Sequence, residues 1–204
     1  MKGITLGLLS FLCLSIMAGD FSPEAIARAE LYGQNYDKAL GLFENILSEH
    51  PESLEAVLGR MDSRIYLKQR DEAIKQAQSH FEKNTPESIC VQAHTLIWKR
   101  ERDQAKTMLT EALKTHPDHY YLNYQLAYLY WAAKDYDKSV SYAAKAVEVE
   151  PDFSEGYYLL GDAYRGKGHI EGVIKAWNSY LERIPKLGKR FELVSSYLKG
   201  LSGR

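Results

Sequence analysis

From Tyr157 onward, apolar and small residues recur at helical spacing. Tyr157, Leu160, Gly161 and Tyr164 stand at i, i+3, i+4 and i+7 and share one face. Gly168 interrupts the pattern. Val173, Trp177, Tyr180 and Leu181 resume it on a second predicted helix, which Pro185 ends. The preceding stretch has the same layout: Leu126, Ala127 and Tyr130, then Tyr136, Ser139, Ala143, Ala146 and Pro151. Gly161 and Ala127 mark the place where the two helices of a pair cross closely, because a larger side chain there holds the backbones apart.

The pattern has a period. Ala39, Ala73, Ala105, Ser139 and Val173 are separated by 34, 32, 34 and 34 residues. Pro117, Pro151 and Pro185 follow at steps of 34 and 34, with Pro51 and Pro86 before them. Such a period is the length of one helix–turn–helix unit. The earlier units match less fully. The first is marked by Tyr36, Ala39, Phe43, Ile46, Leu47 and Pro51. The third has Ala93, Leu96, Ala105, Leu109, Ala112, Leu113 and Pro117. The second keeps Ala73, Ala77 and Phe81, but Arg60 and Met61 stand where a Leu-Gly pair is expected, and Pro86 arrives one residue late. Helix boundaries are expected to shift there.

Taken together, these residues resemble the tetratricopeptide repeat family from about Phe21 to Pro185. The resemblance implies an all-α, right-handed superhelix, an α-solenoid of about five units. The units are expected at about 21–53, 54–85, 86–119, 120–153 and 154–187. Residues 188–201 form one more amphipathic stretch, with Phe191, Val194, Tyr197, Leu198 and Leu201 at helical spacing. They are read as a capping helix, since the last unit of a stack otherwise exposes its apolar side. Glu52, Asp118 and Asp152 follow prolines and are placed near the starts of the next helices, where the helix dipole favours negative charge.

The resemblance also implies that the first helix of each unit lines a concave inner face. Around the predicted helix of the fourth unit, Asn123, Leu126, Ala127 and Tyr130 belong to the core. Tyr121, Tyr124, Tyr128 and Trp131 occupy the neighbouring face. The fifth unit adds Glu155, Tyr158, Asp162 and Arg165, and the third Glu87, Cys90, His94 and Ile97. The chain has 15 tyrosines, and this arrangement accounts for many of them. The expected partner site therefore comprises Tyr121, Tyr124, Tyr128, Trp131, Tyr158, Asp162, Arg165 and His94. The Lys, Asn and Arg residues with which one subset of the family grips chaperone carboxylates are replaced here by Glu24 and Arg28, Leu58 and Asp62, Cys90 and His94, Tyr124 and Tyr128. An aromatic groove takes the place of that clamp. The expected partner is a protein or peptide captured in the groove; the alternative is an assembly factor that docks a folded partner or a second copy of the chain.

Charge excludes some partners. Lys and Arg total 26 against 27 Asp and Glu, for a net charge of -1. Such a chain exerts no bulk attraction on nucleic acid or anionic lipid. Lys186, Lys189, Arg190, Lys199 and Arg204 gather near the C-terminus and read as a solvated helix face.

Residues 1–19 read as a secretory signal peptide: Lys2, an apolar stretch from Ile4 to Met17, then Ala18 and Gly19. The stretch rises only ~21 Å as a helix, short of a ~30 Å hydrocarbon core. Cys13 sits inside the run, followed by Leu14, Ile16 and Met17, which argues against lipidation. The expected location is periplasmic or secreted, with no stable membrane insertion after cleavage; an uncleaved N-terminal anchor is the alternative.

No catalytic constellation is expected, and no cofactor or metal. His116-Pro117-Asp118-His119 is a close histidine pair at a unit junction without further ligands nearby. Cys90 and His94 are four residues apart and form the one nucleophile candidate, the basis of an alternative reading as a thiol-dependent enzyme.

Overall fold

The computed structural model describes residues 21–202. The predicted signal segment and Cys13 lie outside them. Eleven α-helices and no strand are found among the described residues. Ten of them pair: α1 (Pro23–Tyr32) with α2 (Tyr36–Glu49), α3 (Leu54–Tyr66) with α4 (Arg70–Gln78), and α5 (Pro86–Trp98) with α6 (Arg102–Thr115). The last two pairs are α7 (Tyr120–Ala132) with α8 (Tyr136–Val149), and α9 (Ser154–Lys167) with α10 (Ile170–Glu182); α11 (Gly188–Ser202) follows. The pairs stack into a right-handed superhelix.

Local chemistry sets the helix starts. Ser22, Ser53 and Thr85 each accept a hydrogen bond from the backbone N–H three residues on, at 3.1, 3.3 and 3.2 Å. Histidine does the same at two starts. His119 Nδ1 accepts from Leu122 N at 3.3 Å and His169 Nδ1 from Gly172 N at 3.0 Å. Glu52 and Asp118 sit just ahead of the caps Ser53 and His119, and Asp152 just ahead of Phe153, which makes no capping bond; Asp118 pairs with Lys145 at 2.9 Å.

The first helix of every pair ends the same way. Gln34, Lys68, Arg100, Lys134 and Gly168 all have φ between 62° and 72°. They recur at steps of 34, 32, 34 and 34, five residues ahead of the alanine series. This left-handed turn reverses the chain between paired helices. Only Gly168 adopts it without strain.

The second unit departs from the others. α4 spans 9 residues where the other second helices span 13 or 14, and it buries only Ala73 and Ala77. Phe81 lies beyond it, half-buried. Pro86 does not end a helix; it starts α5, capped by Thr85. Proline at that place loses no hydrogen bond, since its missing N–H would have been unpaired anyway.

Small residues stand at the close crossings. A Cβ on Gly161 would lie 2.2 Å from Trp177 Cδ1, and one on Gly59 2.2 Å from Phe43 Cζ. Trp177 and Phe43 are fully buried, and a side chain such as Phe43 contributes roughly 1.5–3 kcal/mol through that burial. At the far end, α11 packs Val194, Phe191, Tyr197 and Leu198 on α10, with Tyr197 edge-on to Trp177 at 5.1 Å. α11 also touches α1, so the two ends of the stack meet.

An inner face closed by its own side chains

The first helices of successive pairs touch one another and line the inside of the superhelix. The superhelix is narrow enough for residues to meet across it. Arg28 on α1 donates from Nη2 to the Tyr121 hydroxyl on α7 at 3.5 Å and to the Glu55 carbonyl on α3 at 3.3 Å. Its Nε lies 3.6 Å from Glu55 Oε2. Tyr120 donates to Glu55 Oε1 at 3.4 Å. Phe153 is 1% exposed and wedges against Tyr120, Tyr121 and Tyr124, with centroids at 5.0, 5.4 and 5.0 Å. Farther along, Glu155 accepts at Oε2 from Tyr32 on α1 at 2.9 Å and from Arg190 on α11 at 2.8 Å. Burial pushes the Glu55 carboxyl up to about 7 and the Tyr32 hydroxyl up to about 12.

This geometry corrects the open aromatic groove expected at Tyr121. Its side chain is 2% exposed and faces Arg28. Helical spacing along α7 places Tyr121 off the unit's own core. It cannot show that α1 reaches α7 from three units away. Asp162 is likewise buried, at 6%, and accepts from Arg165 at 2.7 Å. Tyr124 is half-buried in an edge contact with Phe153. Tyr130, assigned to the core from spacing, is only half-buried and stacks on Tyr142 at 5.6 Å.

The remaining residues keep solvent contact. Tyr128 and Trp131 are half-buried, stacked at 6.0 Å, and rest against the cluster that holds Leu159 and Leu160. Tyr158 is half-buried beside Trp177 and Tyr180. Arg165 is exposed, with its guanidinium 5.4 Å from the Trp177 ring. His94 is half-buried, Nε2 at 2.7 Å from Asp62 Oδ1, which also accepts from Trp98 Nε1 at 2.7 Å.

Sequence reasoning missed Tyr32 and Arg190 as inner-face residues, and it placed Arg28 on that face without foreseeing its reach to Tyr121. Arg190, read as part of a solvated basic face, instead lies against Tyr32 and Glu155. Nothing in its helical spacing signals this, because the contact depends on where the stack ends. Cys90 is fully buried, and burial pushes its thiol well above the usual range, which disfavours the nucleophilic thiolate. His119 caps α7; burial, opposed by Glu87, holds it below the usual histidine range, so its neutral ring can accept. Among the described residues no group of His, Cys, Asp and Glu is placed to hold a metal.

Two family profiles, both described as tetratricopeptide repeat, match residues 24–79 and 99–163, together more than half of the chain. The chain belongs to the tetratricopeptide repeat family. A relative from Saccharomyces cerevisiae, small glutamine-rich tetratricopeptide repeat-containing protein 2, is 29% identical over 98 residues. That match spans 47% of this chain and 28% of the relative. Among solved structures, the tetratricopeptide repeat protein TTC0263 of Thermus thermophilus aligns at a TM-score of 0.55 and 24% identity, over 84% of this chain and 94% of its own. PilW, a type IV pilus biogenesis factor, aligns at 0.55 and 20% identity, over 87% and 83%. These two likenesses establish the fold. A tetratricopeptide repeat array of this kind supports protein–protein interaction, and no described helix is long and apolar enough to cross a membrane.

Proposed function

We propose that the chain is an exported, non-catalytic scaffold that holds a protein or peptide partner on the solvent-reached part of its inner face. The observation that carries this reading is the stacked Tyr128–Trp131 pair, half-buried against the cluster of Leu159 and Leu160 on α9, the helix that also carries exposed Arg165. Large, rigid rings with polar tips dominate binding hot spots, and here they stand on helices fixed by a packed core. Tyr158 and His94 extend the surface to either side. Tyr124 packs in the same cluster as the pair, with Tyr121 against Tyr124, and Asp162 holds Arg165. A single extended peptide held this way binds with a Kd of ~1 μM, about -8 kcal/mol.

Export rests on residues 1–19 and cell-envelope service on export; both belong to the proposal. The test is photo-crosslinking from position 131 in the native envelope, with position 141 on the outer helix α8 as control. Position 131 should capture a protein that position 141 does not. Equal capture from both, or none from either, contradicts the reading.

A further inference from the structure

The contact between the two ends of the stack has the form of a recognition site. The Arg190 guanidinium lies 3.3 Å from the Tyr32 ring centroid and 4.1 Å from that of Tyr158. Its Nη1 reaches Glu155 Oε2 at 2.8 Å, and that carboxylate is 3% exposed. Two aromatic faces and a buried carboxylate match a guanidinium, which is flat, charged and weakly hydrated; a lysine ammonium does not share that character.

The guanidinium is the one component supplied from outside the repeats. Tyr32 belongs to α1, and Glu155 and Tyr158 to α9, while Arg190 arrives on α11. The seam that delivers it mixes polar and apolar contacts. Gly188 turns the chain at φ 83°, Lys189 reaches Gln34 only at 3.5 Å, and a cavity of about 10 Å³ remains beside Ala25, Ala29 and Phe191. Leu187 and Leu193 stay more than half exposed. The apolar anchor of α11, Val194 with Tyr197, faces α10 instead. Val194 and Tyr197 can therefore hold α11 on α10 while the Arg190 side chain gives up its place to another guanidinium.

We propose that Glu155, Tyr32 and Tyr158 form a binding site for the arginine side chain of a partner segment, filled in this structure by the chain's own Arg190. The proposal rests on the scaffold reading and names the chemistry of what the inner face takes. Without a guanidinium, Glu155 keeps only the Tyr32 hydroxyl as a direct partner, and a buried carboxylate left so is costly. Charge complementarity thus selects an arginine-bearing segment. Arg190 acts as its competitor in cis.

The test uses the full-length chain and a labelled synthetic peptide of residues 186–202. Arg190→Ala empties the site, so that chain should bind the peptide about tenfold or more tightly than the unaltered chain does, on the scale of a charged hydrogen bond. A peptide with citrulline at position 190 keeps the shape, loses the charge, and should lose that gain. Arg190→Lys, which keeps a cation but not the flat fork, gives the same comparison if Arg190→Ala does not fold. Equal binding of the arginine and citrulline peptides, or binding of neither, overturns the proposal. An unaltered chain that dimerises by exchanging α11 would make a second copy the occupant and overturn the claim of a separate partner. Success here with no capture from position 131 would leave this site standing and remove the Trp131 surface; the reverse would do the opposite.

Discussion

Lys134 sits at φ 62° with its side chain exposed, ending α7 in a conformation that L-residues avoid. A left-handed residue with a Cβ costs ~1–2 kcal/mol, of which glycine recovers part after its own greater freedom in the unfolded chain is counted. Lys134→Gly should therefore stabilise by roughly 0.5–1 kcal/mol, and Gly168→Ala should cost a similar amount. Urea midpoints at unchanged slope check both. Glu55 offers a second test. It faces Arg28, Glu24, Glu155 and Tyr120, and burial raises its carboxyl from 4.5 to about 7. The folded chain holds this proton more tightly than the unfolded chain, so the group's stabilisation is complete below about pH 4.5 and is lost as pH rises through 7. Its side chain keeps 20% exposure, and screening there limits the loss to ~1 kcal/mol. Glu55→Gln should flatten the fall in melting temperature between about pH 5 and about pH 8 relative to the unaltered chain. Parallel curves would show that Glu55 titrates normally. At this scale the sequence advertised Gly168 but not Gln34, Lys68, Arg100 and Lys134, which make the same turn in the other pairs. Their side chains carry no mark of a positive φ.

Paired helices were legible because their spacing is set locally. Core positions such as Leu126, Ala127, Val173 and Trp177 are buried where the 3.6-residue period places them. The second unit was harder to read because α4 is short and polar, with two buried alanines in place of larger anchors. Its proline works for the following helix. Two glycines separate packing from propensity at this scale. Gly161 faces Trp177, so Gly161→Ala must displace a fully buried indole and should cost ~1–3 kcal/mol. Gly41 lies exposed in α2 with nothing near its missing Cβ. Gly41→Ala should stabilise by ~0.5–1 kcal/mol through helix propensity alone. Thermal denaturation of the two variants should move in opposite directions; a shared direction would place the α9–α10 crossing elsewhere.

The whole superhelix holds what spacing along one helix cannot express. Whether α1 meets α7 and α11 depends on small rotations summed over five pairs, and no residue pattern within a pair encodes that sum. Helical spacing therefore divides the aromatic surplus incorrectly at Tyr121, which closes the inner face, while Tyr128 and Trp131 retain solvent contact. That division makes the account testable in one comparison. Melting temperature and recovery of the partner captured from position 131 are measured for Tyr121→Ala and Trp131→Ala side by side. Tyr121→Ala leaves a cavity against Phe153 and removes a contact of Arg28, so it should cost ~3–5 kcal/mol of stability. Trp131→Ala should lower the melting temperature far less and cost ~1–3 kcal/mol of partner binding, roughly tenfold or more in recovery at limiting concentration. If Trp131→Ala unfolds the chain as severely as Tyr121→Ala does, or leaves partner recovery unchanged, Trp131 belongs to the core and the inner face does not bind through it.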